Sequence, residues 1–228
     1  MADLRAWVGL KNPDRKTADG VYAKVRALRD GTLSMADFAM VSALEGRAFV
    51  GNGGTITTPI TFGAGTIDTT EPDFDLSVPA GTLVIPLEIR VYMEAFGTSA
   101  QFECMASVGR GGAQGTDTNI TPTNLRADAP YSTVCSVGVA SDADATYMTS
   151  NVSEFWRDGQ QFAITKTAGS ATAAALDPFL FTWKWSDAHV PPIMYSASGI
   201  TRLNVFAASQ AGTGFITVKW LELPGGDA

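Results

Sequence analysis

The chain has 228 residues, of which 45% are hydrophobic, 10% aromatic and only 17% charged, with 23 glycines and 11 prolines. This composition belongs to a packed globular protein with room for one sizeable core, and it excludes disorder, collagen-like repeats and low-complexity sequence. A net charge of −7 lacks the basic surface that phosphate neutralisation needs, so no direct nucleic-acid partner is expected.

No run approaches the roughly 18 apolar residues needed to cross a bilayer, and the start Met1-Ala-Asp-Leu-Arg lacks a basic region followed by an apolar run. A soluble, unexported chain with no membrane partner is therefore expected. Two cysteines, Cys104 and Cys135, and the single histidine, His189, are too few for a disulfide scaffold or a structural zinc site, and no metal or cofactor is expected.

Charge and composition divide the chain. Residues 1–50 carry eight of the 16 Lys and Arg, and helix formers at helical spacing, whereas residues 51–228 are rich in Thr, Val, Ile, Phe and Trp between Gly and Pro. The boundary is read at Gly51-Asn-Gly-Gly54. Val21, Val25 and Leu28 follow i, i+4, i+7 before Gly31, which predicts a short helix. Ser34 then precedes Met35, Phe38, Val41 and Leu44, with Asp37 three places after Ser34 and Gly46 at the end, which predicts a second helix over 35–45. Helices this short are marginal alone, so both must dock, either on the β domain or on another subunit.

Beyond residue 51 strand follows strand. Phe74–Val78 leads into the turn signal Val78-Pro-Ala-Gly81. From Leu83 to Glu94 the odd positions are all apolar, while Pro86 marks an edge or a bulge. Phe102, Cys104, Ala106 and Val108 alternate inward, as do Tyr131, Thr133, Cys135, Val137 and Val139, so both thiols are expected buried and free. The 22 residues 109–130 read as a long loop, and Arg157-Asp-Gly159 as a turn. Phe179, Phe181, Trp183 and Trp185 form an aromatic stripe on one face of a strand, read as core or, alternatively, as an exposed platform. Two last strands flank a hairpin loop at Ser209 to Gly214. Nine or ten antiparallel strands without intervening helices predict a mainly β fold, a jelly-roll-like β-sandwich over 51–228 with a short α-helical N-terminal segment over 1–50.

Catalytic signatures are missing. His189 stands in Asp187-Ala-His-Val-Pro-Pro with no Gly-x-Ser-x-Gly elbow, and Gly51-Asn-Gly-Gly and Gly109-Arg-Gly-Gly lack phosphate-loop spacing. Glu88, Glu94 and Glu103 could supply a glycosidase pair only by accident of strand pairing, and read as solvated strand-face charges. Asp142-Ala-Asp144 and Glu71-Pro-Asp-Phe-Asp75 lack the pattern of a calcium loop and are taken as loops. Asn119-Ile-Thr and Asn151-Val-Ser match the glycosylation pattern and are discounted for want of a secretory signal.

The order of a helical N-terminal segment, Gly51-Asn-Gly-Gly-Thr-Ile-Thr-Thr-Pro-Ile-Thr61, Ser77-Val-Pro-Ala-Gly-Thr-Leu-Val-Ile-Pro-Leu-Glu88 and Gly214-Phe-Ile-Thr-Val-Lys-Trp-Leu-Glu-Leu223 resembles jelly-roll virion proteins of tailed bacteriophages. The resemblance spans most of 51–223 and is one of pattern. It implies a non-enzymatic protein on the particle surface, made in the bacterial cytoplasm, that decorates and stabilises the head. Its expected partners are itself, as a homotrimer, and the major capsid protein or another virion protein. Val21, Val25, Leu28, Phe38, Val41 and Leu44 are the expected particle-docking residues. The alternative is a carbohydrate-binding or host-recognition module that stacks sugars on Trp156, Trp183 or Trp185.

Overall fold

The computed structural model describes residues 5–7, 22–24, 37–63, 66–95, 101–113, 118–129, 131–140, 146–161, 179–188, 190–208 and 212–224. The expectations for Val21, Val25, Leu28, Ser34, Met35, Asp142, Asp144 and His189 lie outside them.

Near the N-terminus, β1 (Arg5–Trp7) pairs antiparallel with β2 (Tyr22–Lys24). This corrects the helix expected from Val21 onward: residues 22–24 give their backbone bonds to a neighbouring strand. The second expected helix is present but shorter, α1 (Phe38–Leu44). Its N-cap is Asp37 rather than Ser34, because the Asp37 backbone is extended and its carboxylate accepts a bond from Ala39 N–H at 3.3 Å. The predicted stop holds. Gly46 takes φ +75°, its N–H reaches Ala43 C=O and Arg47 N–H reaches Ser42 C=O, both at 2.9 Å, the paired closure of a Schellman motif.

The sandwich is built from eight principal strands: β3 (Ala48–Gly53), β5 (Phe74–Val78), β6 (Thr82–Ala95), β7 (Gln101–Arg110), β11 (Ser150–Gln161), β12 (Phe179–Lys184), β14 (Thr201–Ala208) and β15 (Thr213–Pro224). The first pairs with the last, the second with the seventh, the third with the sixth and the fourth with the fifth. A folded ribbon with these nested pairs rolls into two sheets when alternate pairs fall on opposite sides. One sheet runs β12-β6-β15-β3 and the other β11-β7-β14-β5, the arrangement of a jelly roll. Alternation of apolar residues makes the rolling favourable. Phe74, Leu76, Ile89, Val91, Phe102, Leu203, Val205, Ile216, Val218 and Trp220 all project between the sheets and are fully buried.

Five shorter strands complete the edges: β4 (Ile60–Thr61), β8 (Thr118–Ile120), β9 (Thr123–Asn124), β10 (Ser136–Val139) and β13 (Met194–Tyr195). Two of them lie in the stretch expected to be a long loop, where β8 borders β10 in one sheet and β9 borders β3 in the other, so this segment lines one side of the sandwich. Segments of two or three residues are too short for periodicity to register.

Other expectations are corrected by pairing. Arg157-Asp158-Gly159 is no turn, because β11 runs through it against Met105, Cys104 and Glu103. The segment from β14 to β15 passes from one sheet to the other and is not a hairpin. The glycines at Gly51-Asn-Gly-Gly54, where the composition changes, belong to a strand and the residue after it. Gly51 and Gly53 lie inside β3, where a Cβ on Gly51 would meet the Phe74 ring at 3.0 Å and one on Gly53 would meet Val139 at 2.9 Å.

Pro86 marks a bulge. Opposite Lys219 and Trp220 of β15 stand Glu88 and Pro86, so Leu87 is an extra residue. Inward parity therefore changes along β6. Ile89, Val91 and Met93 enter the central core, but before the bulge it is Val84 that does so, while Leu83, Ile85 and Leu87 join Leu221, Leu223 and Ala48 on the outer face beneath α1. Pro86 lacks an N–H, and it costs no ladder bond on the other side because that neighbour changes from β12 at Glu88 to β13 at Val84. Deleting Leu87 should leave every other residue of β6 on its present face, because Pro86 and Glu88 already stand opposite Trp220 and Lys219, so cooperative urea unfolding should persist with a loss comparable to the ~1–2 kcal/mol expected for Leu87→Ala.

Candidate functional site

α1 presents an inverted amphipathic pattern. Its small residues Ala39, Ser42 and Ala43, spaced i, i+3, i+4, settle onto Ala48, Ile85 and Leu221, while Phe38, Met40, Val41 and Leu44 are exposed. Leu44 is 64% exposed. Three of the expected docking residues thus share one open surface, and Met40, which falls off the three-residue spacing, joins them.

The segment after β9 fixes the end of α1. Arg126 donates to Leu44 C=O at 2.7 Å, placing a cation where the helix dipole is negative, and pairs with Asp128 at 2.7 Å. Asn124 Nδ2 donates to Gly46 C=O at 2.6 Å and to Tyr131 C=O at 3.2 Å, and Leu125 N–H to Ala48 C=O at 2.9 Å. The apolar side chains Leu125, Tyr131 and Val134 stand exposed on this segment. Farther along, buried Glu222 accepts from the Thr133 hydroxyl, Val134 N–H at 3.1 Å and the Trp220 indole at 2.9 Å, which ties the same segment to β15.

The outer face of the β11-β7-β14-β5 sheet carries a buried polar cluster that the sequence pattern concealed. Asp75, Ser77, Ser107, Arg202 and Asn204 are all sealed from solvent. Arg202 pairs with Asp75 at 2.6 Å and also donates to the Ser77 hydroxyl, and Tyr147 lays its ring 5.7 Å from the guanidinium carbon. Gly111 and Gly112, at φ +76° and +78°, let the backbone at Thr146 and Tyr147 cross closely: a Cβ on Gly112 would collide with both carbonyl oxygens. Asp75 is therefore a buried strand residue, not part of an acidic loop.

Asp73 is buried just before β5. It accepts Ala207 N–H at 2.6 Å and Gly63 N–H at 3.2 Å, and so pins residue 63 to the end of β14. Burial raises its carboxyl to about 7 against the opposing pull of these bonds.

The tryptophans do not make a shared platform. Trp183 is only 8% exposed and meets Phe155 edge-on at 5.1 Å, inside the core with Phe181. Trp156, on an edge strand of the other sheet, and Trp185, in a 3-10 turn (Trp185–Asp187), are partly buried against the core. A bulge at Phe155 turns both Phe155 and Trp156 inward. The glutamates are also kept apart, with Glu103 and Glu88 on the outer faces of opposite sheets and Glu94 six residues, or ~20 Å, along the strand from Glu88. Burial opposes ionisation of Glu88, but Lys219 at 2.7 Å and Arg90 at 2.7 Å outweigh it and hold its carboxyl below the usual range.

Cys104, in β7, and Cys135, just before β10, are free and buried, three strand spacings (~14 Å) apart across the sheet and about six residues (~20 Å) apart along it, beyond disulfide reach. Burial raises both thiols far above their ordinary range. Among the described residues, no three His, Cys, Asp or Glu side chains converge as metal ligands, and no helix is long and apolar enough to cross a membrane.

No protein-family model matches this chain, and no curated protein matches its sequence.

Replacing Arg202 by Met should cost ~3–5 kcal/mol in urea unfolding, because it leaves the Asp75 carboxylate buried without its partner. Asp73 predicts a pH effect of definite sign. Between the unfolded value of 3.8 and about 7 the folded state holds the extra proton, so raising the pH through that window removes stability, by at most ~4 kcal/mol, and above it the slope from this group vanishes. Unfolding measured at pH 5 and pH 8 should show this loss in the wild type and a smaller loss in Asp73→Asn.

Proposed function

We propose that this chain is a non-enzymatic structural protein of a tailed-phage particle: a decoration protein that sits as a homotrimer on the head surface and ties neighbouring capsid subunits together. The observation that carries this reading is the orientation of α1, which docks by Ala39, Ser42 and Ala43 and offers Phe38, Met40, Val41 and Leu44 outward. A solvated helix gains nothing from four large apolar side chains on its open side, whereas a subunit interface does. The jelly-roll order of the strands and the resemblance of the stretches 51–61, 77–88 and 214–223 to phage virion proteins support the same reading. In this role α1, with residues 1–36 before it, grips a capsid or other virion protein, and the sandwich projects from the shell. Three copies multiply modest contacts into firm retention.

The burial of Trp183 removes one of the three rings on which a sugar-binding reading rests, and the other two, Trp156 and Trp185, lie on separate elements, partly buried against the core.

Phe38→Asp with Leu44→Asp tests the proposal. Both side chains are exposed, so the melting temperature should stay within a degree or two, while occupancy on particles purified from the cells that make the chain should fall at least tenfold by quantitative mass spectrometry. Absence of the wild-type protein from those particles, or unchanged occupancy of the variant, would sink the proposal.

A further inference from the structure

We infer that copies of this chain associate through the loop rim at the end of the sandwich that bears α1, using Leu125, Tyr131, Val134, Val190, Ile193 and Ile200. The inference rests on the proposed oligomer and names the surface that builds it.

Strand register places these residues together although they come from two distant parts of the sequence. Leu125 is bonded to Ala48, and Val134 to Glu222, which stands opposite Val84. On the other side of β6, Val84 pairs with Met194, the neighbour of Ile193. Gly81, at the corner between β5 and β6, donates to Ser196 C=O at 2.8 Å, and Gly111 donates to Ile200 C=O at 2.8 Å. All of these positions are strand ends on the same side of the fold.

The six side chains are between 39% and 80% exposed. A large side chain offers roughly 150–200 Å² when fully exposed, so together they present on the order of 500 Å² of apolar surface. At the roughly 60% apolar share usual for interfaces, this corresponds to ~800 Å² per copy, half of a standard interface.

Charge favours a second copy as the occupant. The molecule carries −7 overall, so like copies repel across most of their surface. Among the described residues at this rim, several charged groups are engaged within the chain: Arg126 with Asp128, Arg47 with Glu45 at 3.5 Å, Arg110 with Ser196 at 2.9 Å, and Glu222 with Thr133, Val134 and Trp220. Pro191 and Pro192 stand between Val190 and Ile193 and fix the backbone of that segment in advance, which lowers the ordering cost of association.

The test is the absolute mass in solution, by light scattering after size exclusion, of the wild type, Val190→Asp with Ile193→Asp, and Phe38→Asp with Leu44→Asp. Expected are an oligomer for the wild type, a monomer with unchanged circular dichroism and melting for the Val190/Ile193 variant, and an intact oligomer for the Phe38/Leu44 variant. A monomeric wild type, or an oligomer that survives Val190→Asp with Ile193→Asp, overturns the inference. So does an oligomer that only the helix substitutions dissolve. The particle-occupancy measurement is independent: a monomer that still binds particles defeats this inference and the homotrimer but leaves the decoration role standing, and a rim-built oligomer absent from particles defeats only the decoration reading.

Discussion

The antiparallel pairing of β6 with β15 is the contact on which the rest of the molecule depends. Over twelve paired positions it joins the two longest central strands of one sheet. Its inner face supplies Ile89, Val91, Met93, Ile216, Val218 and Trp220 to the core between the sheets. Its outer face supplies Ile85 and Leu221 as the seat of α1. One ladder thus serves two apolar surfaces that face in opposite directions, and the extra residue at Leu87 makes that possible by shifting which side chains point inward. The docking orientation of α1 draws on this, because Ile85, with Leu83 and Leu87 beside it, belongs to the seat although an unbulged β6 would have turned it into the core.

Much of the sandwich was legible in the sequence because half-buried strands announce themselves through alternation. Phe102, Cys104 and Ala106 of β7, and Phe181 and Trp183 of β12, face the core as their spacing implies. The legible part ended where a residue's environment depends on a distant partner. Alternation along β6 reads as uninterrupted from Leu83 to Met93, since both sides of the bulge present apolar odd positions, and only the register against β15 separates them. Gly51 and Gly53 mark a change of composition in the sequence, and nothing there shows that Phe74, Trp220 and Val139 are pressed against them. At the candidate site, the apolar residues of α1 were identifiable from helical spacing. Their exposure was not, because spacing shows that a stripe exists and leaves open which side of the helix meets the domain.

The buried cluster around Arg202 shows the same limit from the polar side. Asp75, Ser77, Arg202 and Asn204 alternate with core residues as solvent-facing positions do. They are nonetheless covered, and Tyr147 is part of the cover. A face that pattern assigns to water is held by an ion pair, while a helix stripe that pattern assigns to packing is open. Burial in this fold follows from which loops cross which face, and the close crossing at Gly111 and Gly112 is one such choice.

The state of the two cysteines makes the molecule convenient to instrument. With Cys104 and Cys135 enclosed in the core, and their thiolates disfavoured by that enclosure, neither native sulfur competes for an alkylating reagent in the folded protein. An Ile56→Cys change, at the exposed tip of the tight turn closed by Thr55 and Thr58, would give a uniquely addressable thiol without first stripping the native ones. A dye or heavy atom fixed there would report the position and spacing of individual copies on whatever surface they occupy.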